Sequence, residues 1–147
     1  MEFDLPIGTL LCSSNLNPQD NRTPGIVNHL AIIIDEEHNM VEAQEADGVI
    51  ITSWLDYRAR PYNWSTFGVL YPRNKETGKK AAEYAKTLVG RRYGTLASIR
   101  KNTRKVNCAS VIGKAYSNAT GFDVQMAIPD DAMRYVNIFT DKLSEVN

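Results

Sequence analysis

The chain has 147 residues, one domain's worth of sequence, with 43% apolar and 23% charged residues, which excludes disorder along its whole length. Its 17 basic and 17 acidic residues balance. The longest apolar run, Leu30 to Ile34, falls far short of the roughly 20 residues that a bilayer demands, so no integral membrane segment is expected. The opening Met1-Glu2-Phe3-Asp4 is acidic and lacks a basic region followed by an apolar stretch. No secretory signal is read there, and a cytoplasmic location is expected, with export by a phage- or toxin-borne route as the alternative.

In chain order, Ile7 to Cys12 reads as a short strand, and Asn15 to Gly25 is a loop rich in Asn, Asp, Pro and Gly. Ile26 to Asp35 is the strongest strand signal, with a β-branched apolar run at its end. Glu36-Glu37-His38-Asn39 is a polar turn, and Met40 to Gln44 returns as a strand. Gly48 to Ile51 is a further strand, and Ser53 to Arg60 a short helix stopped by Pro61. Trp64 to Tyr71 alternates as a strand. Lys75 to Val89 has helical spacing at Ala81, Ala82, Ala85, Leu88 and Val89, with Gly90 as the stop. Gly94 to Val106 is a polar, basic loop, Ala109 to Ser117 a second helix ending near Asn118 and Gly121, and Pro129-Asp130-Asp131 starts a short third one. No repeat, low-complexity tract or linker divides the chain, so residues 1–147 are expected to form a single domain. Strands in the first half and helices in the second predict an α+β fold, an antiparallel sheet packed against segregated helices.

The balanced charge is unevenly placed. Tyr84 to Phe122 contains no Asp or Glu but carries Lys86, Arg91, Arg92, Arg100, Lys101, Arg104, Lys105 and Lys114. The stretch reads either as a solvated basic loop or as a positive rim around Cys108 that favours thiolate and attracts anionic ligands. No aromatic-interleaved or helical recognition motif accompanies it, so no nucleic-acid partner is expected.

The chain holds two cysteines, Cys12 and Cys108, and two histidines, His29 and His38. Two cysteines make no disulfide framework, and the spacing of the four residues fits no zinc pattern, so neither metal nor cofactor is expected. Cys108 follows an extended Lys105-Val106-Asn107 at the start of a helix, where unpaired N–H groups and the helix dipole favour a thiolate and offer a site for an oxyanion. Its alternative is an inert buried cysteine. His29 lies in an otherwise apolar strand and needs a polar partner or a wet edge. It is either a catalytic base or a satisfied core histidine. His38 is explained by exposure in its turn, and Cys12 by core packing. Cys108 with His29 is the one Cys/His pairing that a scaffold holds rigidly, and a thiolate beside an imidazole with a third orienting group is the arrangement of nucleophilic acyl transfer.

These residues resemble a known family. Gly90-Arg91-Arg92-Tyr93-Gly94, a loop, and Asn107-Cys108-Ala109-Ser110 resemble the glycine–tyrosine and Asp-Cys-Ser segment of NlpC-type cell-wall cysteine peptidases. Asn28-His29-Leu30-Ala31-Ile32-Ile33 resembles their His-Val-Gly-Ile strand, and Val41-Glu42-Ala43 the step that bears the third catalytic residue. Histidine comes first and cysteine last, as in the permuted papain-like branch that includes YiiX-type amidases and, more distantly, lecithin retinol acyltransferase-like proteins. Gly8-Thr9-Leu10-Leu11 resembles the Gly-Asp-Leu-Leu start of that branch, and the likeness spans Ile7 to Asp131. The resemblance implies a circularly permuted papain-like half-barrel packed against helices. It implies Cys108 as nucleophile, His29 as general base and Glu42 as the residue that orients the imidazole, with Tyr93 and Asn107 beside the substrate oxyanion. The family's acid before the cysteine is Asn107 here, and its Ser-Gly after it is Ala109-Ser110.

A turn over Glu36 to Asn39 pairs Asp35 with Met40, Ile33 with Glu42 and His29 with Ala46. Glu42 then shares a face with His29 but lies four residues along, roughly 13 Å away. Only a bulge or strong coiling closes that gap. Gln44 is a diagonal neighbour and the polar substitute, and Glu45 falls on the opposite face. The function implied is a thiol hydrolase of a peptide or small amide, with an anionic substrate, a cell-wall peptide or a lipid acyl group as candidates. An acyltransferase or lipid acyl hydrolase of the same fold and an inactive binding module are the alternatives. Trp54, Tyr57, Tyr62 and Trp64 are candidates to line a substrate groove, or to serve as packing.

Overall fold

Strands rich in Leu, Ile and Val on one face need a cover, and the second half of the chain supplies it. The computed structural model describes residues 4–15, 27–60, 64–94, 97 and 104–147, with the backbone alone at 15 and 64–67. Among these residues the strands are β1 (Leu10–Asn15), β2 (His29–Ile33), β3 (Met40–Gln44), β4 (Gly48–Thr52), β5 (Trp64–Pro72) and β6 (Phe139–Thr140). They form one sheet in the order β4-β3-β2-β1-β5-β6, and every pairing is antiparallel. The helices are α1 (Trp54–Arg58), α2 (Lys75–Thr87) and α3 (Cys108–Thr120), with a 3-10 turn over Pro129–Arg134. The expected α+β architecture, an antiparallel sheet against helices, is what the chain adopts.

The two sheet faces are unequal. Leu10, Cys12, Leu30, Ile32, Val41, Ala43 and Val49 face α2 and α3 in the main core, where they meet Ala81, Ala82, Ala85, Leu88, Val111, Ile112, Ala115 and Tyr116. Alanines on the inner side of α2 let that helix lie close to the sheet. Tyr116, fully buried, stacks edge-on against Phe139 at 4.6 Å and donates its hydroxyl proton to the Gly8 carbonyl at 2.6 Å. The opposite face is thinner: Leu11, Ala31, Ile33 and Met40 are covered by Leu5 and by Tyr57 of α1. Among the described residues no helix is long and apolar enough to cross a membrane.

Most boundaries move by a few residues, for local reasons. The first strand begins at Leu10 rather than Ile7, because Gly8 takes a left-handed φ of 96° and Thr9 N–H bonds Pro6 in a turn. α2 ends at Thr87 and Gly90 follows with φ 96°, while α3 runs on to Thr120 and stops at Gly121 in the left-handed conformation. The loop expected at Asn15 to Gly25 falls almost wholly outside the described residues, as do Ile26 and much of the stretch between Gly94 and Val106. Either end of that stretch is not loop-like: Tyr93 and Val106 form a parallel bridge. The short strand β6, which pairs Thr140 with Tyr71, has no strand pattern in the sequence.

The first turn of α2 rests directly on backbone. A Cβ added at Gly78 would stand 2.4 Å from the Ile7 carbonyl oxygen and 2.7 Å from Pro72 Cγ. Helix propensity alone favours alanine over glycine by about 1 kcal/mol, but overpacking costs about 1–3 kcal/mol. Gly78→Ala is therefore expected to lower stability, measured as a reduced urea midpoint with an unchanged slope.

Candidate functional site

The nucleophile candidate is positioned by a helix start. Asn107, in extended conformation, caps α3: its Oδ1 accepts from Ser110 N–H at 2.8 Å, and Ser110 Oγ accepts from Asn107 N–H at 2.8 Å. This reciprocal cap gives the Asn-Cys-Ala-Ser sequence its local logic and makes Cys108 the first helical residue. Asn107 was expected beside the oxyanion; its side-chain oxygen serves the cap. The approach to the cap is also held, since Val106 N–H bonds Arg92 O at 2.9 Å and Gly94 N–H bonds Val106 O at 3.0 Å. That bridge brings the backbone of Tyr93 alongside the residues that lead into Cys108. Cys108 is 5% exposed, and its sulfur lies 3.9 Å from the Asn28 carbonyl oxygen, at the entry to β2.

His29 opens β2 opposite Ser13 of β1 and is 6% exposed. Its ring hydrogen-bonds the Cys108 thiol on one side. On the other, Nε2 donates to Glu42 Oε1 at 2.6 Å. With Nε2 committed to the carboxylate, Nδ1 is the nitrogen left for the sulfur. The expected thiol, imidazole and Glu42 therefore meet, although 79 positions of the chain separate the first two.

The expected obstacle to Glu42 is removed by the turn. Ile34 N–H bonds Asn39 O, so the turn spans residues 35–38, and Ile33 pairs with Met40 and Ile32 with Val41. Continued along the ladder, this register sets Glu42 opposite Ala31 and only two residues from His29. The separation drops from about 13 Å to the diagonal spacing of about 7–8 Å, which Glu and His side chains span. Gln44, the substitute for Glu42, instead donates its amide to Glu42 Oε1 at 3.0 Å.

Two more groups meet this carboxylate that sequence reasoning did not single out. Thr52 Oγ1 and an Arg60 guanidinium N–H both donate to Glu42 Oε2. No periodicity or motif marks either one; the polar face shared by Glu42, Thr52 and Gln44 becomes visible only with the β3–β4 register, in which Met40 pairs with Thr52. Arg60 follows α1 and lays its guanidinium over the Tyr57 ring, 4.7 Å from the centroid.

The electrostatics follow from these contacts. Burial by itself opposes charge on both His29 and Glu42, and it is the largest single influence on each. For His29 it is outweighed by the bonds to Cys108 and Glu42, which hold the imidazole up at about 9. For Glu42 it is outweighed by His29 and then Arg60, which hold the carboxyl down at about 2. At Cys12, burial, with the negative charge of Asp130, pushes the thiol up to about 12. Core packing accounts for Cys12 as expected.

Other expected residues lie elsewhere. His38 is not solvent-exposed: it is 8% exposed, in a left-handed conformation, edge-on to Trp54 at 5.9 Å. Trp54 and Tyr57 stack at 6.0 Å and pack the minor core face, while Tyr62 and the side chain of Trp64 lie outside the described residues. Of the basic stretch, Arg92, Arg104 and Lys105 are exposed, and Arg100 and Lys101 lie outside the described residues. Among the described residues no three His, Cys, Asp or Glu side chains converge as metal ligands.

Neither family models, nor curated proteins, nor solved structures yield a match to this chain. The His29–Glu42 pair makes a pH prediction of its own. His29 is raised from 6.5, so its contribution to stability is full below about 6.5 and fades as pH rises through about 9. Glu42 is lowered from 4.5, so its contribution is full above about 4.5 and fades as pH falls through about 2. The stability lost in Glu42→Gln, on the order of 1.5–3 kcal/mol, is expected to peak between about pH 4.5 and 6.5 and shrink on both sides in urea titrations.

Proposed function

We propose that the protein is a cysteine hydrolase of the permuted papain-like kind, cleaving an amide bond of a peptide or small amide through an acyl-enzyme. The observation that carries this reading is the continuous chain of hydrogen bonds from the Cys108 thiol through His29 to Glu42. It has the three roles of nucleophilic acyl transfer on three separate elements, each held by its own backbone contacts. The fold class supports it, with the nucleophile at the start of a helix that packs on a sheet whose strands bear the base and its partner.

In this mechanism His29 takes the thiol proton. The Cys108 sulfur bonds to the substrate carbonyl carbon, and the carbonyl π pair moves onto oxygen. His29 then delivers its proton to the leaving nitrogen as the C–N bond breaks. A water, deprotonated by His29, attacks the thioester; the C–S bond breaks and the thiol regains its proton, releasing the acid. The oxyanion has a place at the first turn of α3. There Ser110 N–H is used by the cap and Val111 N–H bonds Asn107 O, whereas the N–H groups of Cys108 and Ala109 have no partner among the described residues. Tyr93 is proposed to flank this position, and Arg92, Arg104 and Lys105 to favour substrates with an anionic group nearby.

A thiol-reactive probe with peptide mapping tests the assignment. Cys108 is expected to label much faster than Cys12, and His29→Ala to slow Cys108 by about a hundredfold or more. Activated acyl amides should leave an acyl adduct on Cys108, seen by intact mass, that water clears; an adduct cleared only by added amine or alcohol points to a transferase. Equal, slow labelling of both cysteines, with His29→Ala without effect, overturns the hydrolase and leaves a binding module.

A further inference from the structure

The carboxylate of Glu42 is 1% exposed and receives donors from four residues. Each of its two oxygens takes two of them. Oε2 takes Thr52 and Arg60, while Oε1 takes His29 and Gln44. We propose that Arg60 is a positioning residue of the site: with Thr52 it closes one oxygen of Glu42, so that the carboxylate cannot turn and presents the other to the His29 ring. The proposal deepens the hydrolase reading and rests on it.

Stability alone is a poor reason for this ion pair. The Arg60 side chain is 18% exposed and that of Glu42 is 0% exposed. Taking such a pair from water costs free energy that mutual attraction barely offsets, and apolar residues of similar volume often serve as well. Geometry is what the pair adds. An isolated carboxylate rotates about its last bond, and either oxygen then meets the imidazole at an ill-defined angle. Two donors fixed on one oxygen remove that freedom. They also leave a site whose carboxylate charge is already balanced before His29 takes a proton.

Arg60 is itself restrained at both ends. Its backbone N–H bonds Tyr57 O at 3.3 Å, and its guanidinium lies over the buried Tyr57 ring. α1, begun by the Ser53 cap on Asp56 N–H, therefore acts as a strut that delivers a guanidinium to the far side of the carboxylate from the histidine. A five-residue helix makes little core, and this placement gives it a use.

The test compares wild-type protein, Arg60→Gln and Arg60→Lys by proton NMR and by the rate at which iodoacetamide modifies Cys108. The hydrogen bond from His29 Nε2–H to Glu42 should give a low-field proton resonance. Arg60→Gln is expected to shift or broaden it and to slow modification about ten- to a hundredfold, the scale of a small misplacement in an active site. Arg60→Lys should recover part of both. A folded Arg60→Gln with an unchanged resonance and a rate within twofold of wild type overturns the proposal. If Arg60→Gln does not fold, Thr52→Val removes the other donor to Oε2; it should move the resonance and slow modification several-fold, and no change in either also overturns the proposal. Cys108 reacting no faster than Cys12 in wild-type protein defeats the hydrolase reading instead, and the resonance still decides the role of Arg60.

Discussion

A carboxylate buried away from water is among the least tolerable groups in a protein interior unless donors surround it. Glu42 is such a group, and the sheet half of the molecule is organised around supplying it. β2 brings His29, β3 brings Gln44, β4 brings Thr52, and the chain after α1 brings Arg60. If any one of these elements were displaced, a charge would remain in the interior with too few partners. The thinness of the second sheet face follows from the same fact, because the space where apolar side chains would pack is taken by a polar network.

The two cysteines show what position does to one side chain. Cys12 lies mid-strand in the main core, and burial suppresses its ionisation. Cys108 is nearly as buried but sits at the first position of a capped helix, against an imidazole that itself leans on a carboxylate. Of the two long helices that complete the core, one therefore does a second job. α2 gives packing alone, through its alanines, whereas α3 packs along its length and delivers a thiol at its start. The imidazole and the thiol come from opposite halves of the sequence, and the antiparallel sheet covered by α3 is what brings them together.

Much of this was legible in the letters, and the limits are specific. The bounds of β3, the start of α2 and the glycines that follow α2 and α3, Gly90 and Gly121, follow from local chemistry, in which apolar periodicity and capping residues act within a few positions. Cys108 and His29 were legible as a pair because one stands at the start of a helix and the other in an otherwise apolar strand. Arg60 and Thr52 were not legible, because nothing near them in the chain announces Glu42; their role depends on register. His38 was misjudged for a related reason: a polar turn suggests exposure, but the turn folds back under Trp54. β6, two residues long, has too short a pattern to show at all.

Register is also where the sequence reading of the site departed furthest from the fold, and the cause lies in the turn. A turn over residues 36–39 and one over 35–38 keep the same residues on each face, since the pairing shifts by two. They differ only in how far Glu42 stands from His29. Asp35 decides between them. Its Oδ1 accepts from Glu37 N–H at 3.1 Å and Asn39 N–H at 3.0 Å, and its Oδ2 from Asn39 Nδ2 at 2.8 Å. A carboxylate bonded that way belongs inside the turn and cannot serve as the last ladder residue of β2. His38 adopts a left-handed conformation, φ 64°, as the last residue of this turn. The reach of Glu42 to the imidazole is thus set at the far end of the hairpin, by side chains that touch neither residue.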